Sequence, residues 1–415
     1  MIINNIQITN FKSFKTLNTD LGNFNVLIGP NASGKSNFVQ IFAFLRDIAN
    51  SGLNNAISMQ GGVRYLRNIG IGASEDLSFR VISNKDFLWA HRPSESGSIK
   101  IRTYETVYEF ILKFRKRGLG FEITKDTLTQ KCEFFKDGLE KAETLEKDKI
   151  AEGEIVFSQI NKEVKVDFKP EKLPIKTDDV YPIFLRGYKL LQNTLLLERL
   201  YFSPWLVDIF RHISIYDFDP RLPKKATPIT GKAELEEDGS NLSIILKNIS
   251  EDRTKKRKLF NMAKDLLPFI SDLGVEKFAD KSLLFKLKEV YFKNEYLPAS
   301  LISDGTINIT ALIVALYIEK KRLMIMEEPE RNIHPYLISK VIDMMKDASQ
   351  KKQIIITTHN PEIVKHAGLD NILLVSRDQE GFSRVSRPTE KEEVKTFLQN
   401  EIGIEELYVQ DLLKA

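Results

Sequence analysis

The chain has 415 residues, 42% hydrophobic and 28% charged, with a formal net charge of +4. That length predicts roughly two to four structural units with a large buried core, and so mild a charge does not by itself indicate nucleic-acid binding. The single cysteine, Cys132, excludes an internal disulfide and a cysteine-built zinc site. The longest apolar run, residues 311–318, is far short of the ~20 residues that cross a bilayer.

In chain order, residues 1–30 read as strands, "IINNIQIT" and then "FNVLIG". The start has no charged-then-apolar leader pattern, so the expectation is a soluble cytoplasmic protein with no membrane partner. From Ser36, Phe38, Val39, Phe42, Leu45 and Ile48 recur at helical spacing. Between about 72 and 170, segments such as "DLSFRVIS", "TVYEFILKF" and "EVKVDF" alternate as antiparallel strands do, broken by a lysine- and glutamate-rich stretch at 137–154. Residues 181–215 and 240–280 read as helical, the latter carrying the basic cluster Arg253, Lys255, Lys256, Arg257 and Lys258. Such a cluster is ordinarily a solvated helix face, and its functional reading is contact with a phosphate backbone. The last third alternates strand and helix: "LLFKLKEVYF", a helix from about 305, "RLMIM", a helix from Pro335, "QIIITT" and "NILLVSR", followed by an acidic tail beyond 389. The expected domains are a core lobe from 1–71 and 283–415, an antiparallel β subdomain at 72–180 and a helical lobe at 181–282.

Four stretches carry chemistry. Gly29-Pro30-Asn31-Ala32-Ser33-Gly34-Lys35-Ser36 fits G-x-x-x-x-G-K-[ST] between a strand and a helix. Its glycines let backbone N–H groups face phosphates, Lys35 can reach the β- and γ-phosphates, and the Ser36 hydroxyl can ligate Mg²⁺. In "RLMIMEEPERNIHP", an apolar strand delivers Glu327 and Glu328 to its carboxyl end. Successive strand residues point to opposite sides, so one carboxylate can lie toward Mg²⁺ while the other deprotonates the attacking water. In "QIIITTHNPEIV", His359 follows a second buried strand, where it can sense a γ-phosphate. In "LISDGTINITALIVALYI", Ser303, Asp304 and Gly305 precede an apolar helix, either as a simple cap or as a second phosphate-binding helix start.

These elements in this order resemble the ATP-binding-cassette ATPase heads of the SMC, RecF and OLD kind, closest to the small ATPases associated with phage defence. "ITNFKSFKTLNTDLGNFNVLIGPNASGKSN" is similar to that group's N-terminal strands and Walker A, "MIMEEPERNIHP" to its Walker B and D-loop, "TTHNPE" to its switch histidine, and "SDGTIN" to a degenerate signature. The resemblance implies an α/β P-loop NTPase fold, an ABC-ATPase head with a mixed sheet, an antiparallel β subdomain and a helical lobe. It implies ATP and Mg²⁺ as cofactors. Asn31, Ala32, Ser33, Gly34, Lys35, Ser36, Asn37 and Lys12 would bind nucleotide, with Asn10 and Phe11 close by. Ser36 and Glu327 would hold the metal, and Glu328 and His359 would be catalytic. It further implies a homodimer sandwiching two ATP molecules, with Ser303, Asp304 and Gly305 of one subunit at the γ-phosphate held by Lys35 of the other. Three features depart from the pattern: Glu327 stands in place of aspartate, Asp304 and Thr306 replace a glycine-rich signature, and no Q-loop stands out, "IYDFDPRL" at 215–222 being the best candidate because a strand there leads into the helical lobe.

No long heptad arms or CxxC hook separate the two halves, and the tail after His359 is too short for a TOPRIM nuclease domain. The implied activity is an ATPase that acts as sensor or motor of a DNA-linked antiviral system controlling a separate effector, with DNA or RNA as a further partner. A nucleotide-gated scaffold with little turnover is the alternative. A transporter's nucleotide-binding domain is disfavoured by the long stretch between Lys35 and Ser303. A small-molecule kinase would leave "TTHNPE" and "SDGT" without a role.

Overall fold

The structure, a computed structural model, describes residues 3–91, 99–136, 149–171, 189–191, 193–199, 204–278, 281–292, 295–390 and 404–409. Part of the charged stretch (137–148), part of the 181–215 segment and most of the acidic tail lie outside these residues. In chain order the strands are β1 (Asn5–Phe11), β2 (Phe14–Asp20), β3 (Phe24–Ile28), β4 (Leu77–Ser83), β5 (Phe87–His91), β6 (Ile99–Phe114), β7 (Phe121–Lys136), β8 (Lys149–Ile160), β9 (Glu163–Lys169), β10 (Ile213–Tyr216), β11 (Thr227–Pro228), β12 (Ile270–Phe278), β13 (Ser282–Glu289), β14 (Leu297–Pro298), β15 (Leu323–Glu327), β16 (Gln353–Thr358), β17 (Ile372–Arg377) and β18 (Ser383–Ser386). The helices are α1 (Lys35–Ser51), α2 (Leu53–Met59), α3 (Val63–Leu66), α4 (Pro204–Arg211), α5 (Leu242–Ser250), α6 (Arg253–Leu266), α7 (Asp304–Ile313), α8 (Pro335–Ser349), α9 (Pro361–Ala367) and α10 (Ile404–Val409).

Contacts group the chain into two units, Met1–Gly22 with Ser36–His212 and Arg377–Val385, and Asn23–Lys35 with Ile213–Ser376 and Ser386–Ala415. In the first unit an antiparallel sheet runs β2-β1-β4-β6-β7-β8-β9, with β5 paired to β6. The N-terminal hairpin, expected with the core lobe, belongs to this sheet because β1 pairs with β4 from Asn5↔Ile82 to Thr9↔Ser78. Alternating burial along β4 and β6 turns one face inward. There Phe79 stacks on Phe110 at 5.1 Å and meets Phe11 edge-on at 5.3 Å and Phe44 of α1 at 5.5 Å, a geometry that adds to plain area burial. Within β7, Asp126 is buried and accepts from Tyr108 Oη (2.9 Å) and from Leu196 N (2.7 Å). Burial pushes its carboxyl up to about 7.

The second unit holds parallel strands in the order β10-β15-β16-β3-β17. β3 and β16 are buried at every position, as a sheet covered on both faces requires, and their sequences are correspondingly unbroken apolar runs. α5 to α9 contribute Leu242, Leu259, Leu312, Ile342 and Val364 to the same core. A smaller antiparallel sheet pairs β13 with β11, β12 and β14. The segment expected to be helical to residue 280 departs from that reading at Leu267: α6 ends there and 270–278 extends along β13, from Ile270↔Glu289 to Phe278↔Ser282. Residues 213–215, likewise expected to be helical, belong to β10, which pairs with β15. Of the rest of 181–215, Pro204–Arg211 is helical and Leu196–Glu198 is a single 3₁₀ turn.

Candidate functional site

Because the strands of the second unit are parallel, their carboxyl ends leave the sheet on one edge, where open α/β sheets bind ligands. Four turns emerge there: Gly29 after β3, Glu327 and Glu328 at the end of β15, His359 after β16, and Asp217 after β10. The registers Glu327↔Thr357 and Thr358↔Ile28 set these turns side by side.

The loop after β3 needs its glycines. A Cβ on Gly29 would fall 2.1 Å from Val375 O, so only hydrogen fits against β17. Ala32 and Gly34 have φ of 62° and 118°, and α1 begins at Lys35. Left-handed residues ahead of a helix start turn successive N–H groups into one concavity, which suits an anion. Lys35 Nζ donates to Gly29 O (2.7 Å) and Pro30 O (3.1 Å), so the ammonium folds over the loop it would serve. Burial lowers its pKa, and the charges of Glu328 and then Glu327 act against that. Asn31, Ala32 and Ser36 are exposed, and Ser33 is buried within the turn. The cradle therefore suits a phosphate group. Ser36 and Glu327 are hard oxygen donors of the kind Mg²⁺ uses while keeping phosphate oxygens and waters as its other ligands.

The turn after β15 is the most constrained part of the site. Glu328 N donates to Thr357 O (2.9 Å), extending the β15–β16 ladder by one rung, while its φ of 44° is left-handed, a strain that a non-glycine residue tolerates only when its surroundings impose it. Glu328 Oε1 lies 2.9 Å from His359 Nδ1, and Oε2 accepts from Arg331 Nη2 (3.2 Å). Arg331 Nη1 in turn donates to Asp217 Oδ1 (3.0 Å). Burial alone would raise the Glu328 carboxyl, but the Arg331 hydrogen bond and the His359 contact outweigh it and hold it below the usual carboxylate value. It is therefore ionised at neutral pH, as a general base must be. These pairs are half-exposed, so they orient side chains more than they stabilise the fold.

Ser303 caps α7, accepting from Thr306 N at 3.2 Å, and Asp304 pairs with Lys224. A Cβ on Gly305 would fall 2.5 Å from Asn332 O. Asn308 of α7 donates to Pro329 O (3.2 Å) and Arg331 O (2.6 Å). The start of α7 is thus tied to the turn that carries Glu328.

Lys12 and Asn37 lie in the first unit. Asn10 and Lys12 adopt left-handed φ of 53° and 48° at the end of β1. Asn10 Nδ2 donates to Glu75 O (2.7 Å), and Asn68 Nδ2 donates to Lys12 O (2.7 Å). Phe11 is buried in the aromatic cluster, and Asn37 Nδ2 donates to Ser13 Oγ (2.8 Å). Sequence reasoning did not single out Arg331, Asp217, Glu330 or Asn308. Arg331 sits inside "EEPERNIHP" three residues after Glu328, and Asp217 inside the 215–222 segment, directly after β10.

A family model described as AAA ATPase domain matches residues 1–184, and one described as AAA domain, putative AbiEii toxin, Type IV TA system matches residues 188–365. Among solved structures the chain is similar to an SMC head bound to the C-winged helix domain of ScpA, with 14% identity over 93% of this chain and 98% of that one, TM-score 0.49. It is also similar to a Pyrococcus furiosus SMC head with an extended coiled coil bound to the C-terminal domain of ScpA, with 14% identity over 97% and 100%, TM-score 0.46. A Thermotoga maritima SMC head domain aligns with 11% identity over 93% and 99%, TM-score 0.39. No curated protein matches the chain in sequence.

Proposed function

We propose that this chain, a P-loop protein of the AAA ATPase domain type, binds ATP at the Lys35 loop, hydrolyses it, and pairs with a second copy of itself on nucleotide. In this reading it is the sensor or motor of a DNA-linked antiviral system and holds or releases a separate effector, a nuclease or toxin. The observation that carries the hydrolytic reading is the Glu328–His359 pair, 2.9 Å apart on the edge where the phosphate loop leaves the sheet.

In the proposed reaction Lys35 exchanges the carbonyls of Gly29 and Pro30 for β- and γ-phosphate oxygens. Ionised Glu328 takes a proton from the attacking water as its oxygen bonds to the γ-phosphorus, and the bond from that phosphorus to the β,γ-bridging oxygen breaks to give ADP and phosphate. His359 orients Glu328 and meets the γ-phosphate. Ser36 and Glu327 would hold Mg²⁺, which neutralises phosphate charge when bound. Ser303, Asp304 and Gly305 of a second copy would complete the pocket from a helix start. Because Asn308 ties α7 to the Glu328 turn, such pairing would reach the base directly. The effector reading draws support from the match of residues 188–365 to a family of putative AbiEii toxins of type IV TA systems. Arg253, Lys255, Lys256 and Arg257, all exposed on α6, support a nucleic-acid partner.

ATP turnover with and without DNA or RNA, together with mass in solution, tests this. The expected result is turnover that nucleic acid or a partner stimulates. A chain that turns over no ATP refutes the enzymatic reading, and turnover that nothing stimulates refutes the sensor role. A nucleotide-gated scaffold is the second reading, favoured by the way His359 and Arg331 occupy both oxygens of Glu328. Full biological function in Glu328→Gln with turnover abolished would select it.

A further inference from the structure

Glu330, two residues beyond the base, is only 7% exposed. Its Oε1 accepts a hydrogen bond from Thr358 Oγ1, while Oε2 has no hydrogen-bond partner among the described residues. Thr358 is fully buried, and the same hydroxyl accepts from Asn360 N at 2.9 Å. Asn360 Oδ1 then caps α9 by accepting from Glu362 N at 2.9 Å. A threonine hydroxyl has one proton to donate, and here it goes to Glu330, which leaves a lone pair for Asn360. The residues on either side of His359 are therefore held in one chain of hydrogen bonds that ends on a buried carboxyl. Burial raises the pKa of that carboxyl. A carboxyl with an unpaired buried oxygen costs stability, and an apolar side chain would fill the space without that cost. The cost points to a purpose other than packing.

We propose that Glu330 is the positioning residue for His359, fixing the backbone on both sides of the imidazole through Thr358 and Asn360 so that Nδ1 meets Glu328 Oε1. The inference rests on the reading of Glu328 and His359 as the hydrolytic pair, and it names what holds that pair together.

The test compares Glu330→Ala, Glu330→Gln and Thr358→Val by ¹⁵N spectra of the histidine side chains, with His359 assigned through His359→Ala and its unpaired position taken from Glu328→Ala. Gln keeps an acceptor for Thr358, whereas Ala and Val break the chain. Glu330→Ala and Thr358→Val are expected to move the His359 Nδ1 resonance toward its unpaired position, and Glu330→Gln to leave it in place. For ATP turnover, the two breaking variants lose about tenfold to hundredfold in kcat with KM nearly unchanged, Glu330→Gln restores the rate, and Glu330→Ala costs nothing more once His359 is already Ala. A wild-type imidazole spectrum in Glu330→Ala or Thr358→Val, or losses that multiply with His359→Ala, overturns the proposal. Should Glu330→Ala not fold, Thr358→Val and Glu330→Gln decide it. A wild-type chain without turnover whose imidazole follows this pattern refutes hydrolysis and leaves the positioning role standing.

Discussion

Gly305→Ala probes the junction between α7 and the Glu328 turn. The added Cβ would sit 2.5 Å from Asn332 O, whereas ordinary contact begins at 3.4 Å, so one partner must move by about 0.9 Å. The oxygen is backbone and the Cβ is fixed to the backbone of α7, so neither is free to give. Asn332 is left-handed at φ 63°, Ile333 N donates to Glu330 O (3.0 Å), and Asn308 holds the carbonyl of Arg331. Overpacking of this kind costs about 1–3 kcal/mol. Alanine recovers roughly 1 kcal/mol through better helix propensity and a stiffer unfolded chain. The clash is the larger effect, and the net expectation is a destabilisation of up to about 2 kcal/mol, with a lower kcat because the Glu328 turn shifts. Gly274→Ala in β12 is the control, since its Cβ meets nothing closer than Lys286 Cε at 3.8 Å. Urea midpoints of the two variants, read against wild type, give the comparison. If Gly305→Ala is as stable and as active as Gly274→Ala, the tie between α7 and the turn is not the constraint described.

Lys35→Met should leave the fold intact and weaken ATP binding by tenfold or more, roughly the 1.5–3 kcal/mol of a hydrogen bond to a charged group, as measured by calorimetry; unchanged affinity would dissociate the loop from nucleotide. Arg331→Ala removes a contact that holds the Glu328 carboxyl down, so its pKa rises and the acid limb of kcat/KM moves to higher pH. An acid limb that stays in place would show that Glu328 is not the titrating base. Asp126, raised from 3.8 to about 7, stays protonated in the folded chain while the unfolded chain has already lost the proton. Its contribution to stability is complete below about 4 and falls by about 1.4 kcal/mol per pH unit up to about 7, then levels. The stability of wild type relative to Asp126→Asn should follow that curve in urea titrations, and a difference independent of pH would refute it.

The phosphate loop was legible because its chemistry is local: eight consecutive residues, a buried strand before them and a helix after. The carboxyl-edge placement of Glu328 and His359 was legible for a related reason, since unbroken apolar runs such as "QIIITT" imply a covered parallel sheet whose ends share an edge. What escaped notice is non-local. Nothing in β1 itself says that it pairs with β4, which lies beyond α1 to α3 in the chain. Residues 270–278 carry no clear period, and their extended form comes from pairing with β13. The Arg331–Asp217 ion pair joins residues 114 apart, and each alone resembles a surface charge. Glu330 reads as one more acid in a charged turn until its burial against Thr358 is known.

The central claim is that the Lys35 loop, Glu328 and His359 act on one triphosphate whose pocket a second copy completes. Sedimentation of Glu328→Gln with ATP and Mg²⁺, with the bound nucleotide identified afterwards, tests it most directly. The account predicts a doubled mass that retains one uncleaved ATP per chain and reverts to the single-chain mass when Lys35 is also replaced by Met. A mass unchanged by ATP, together with ADP formed at the wild-type rate, would contradict it.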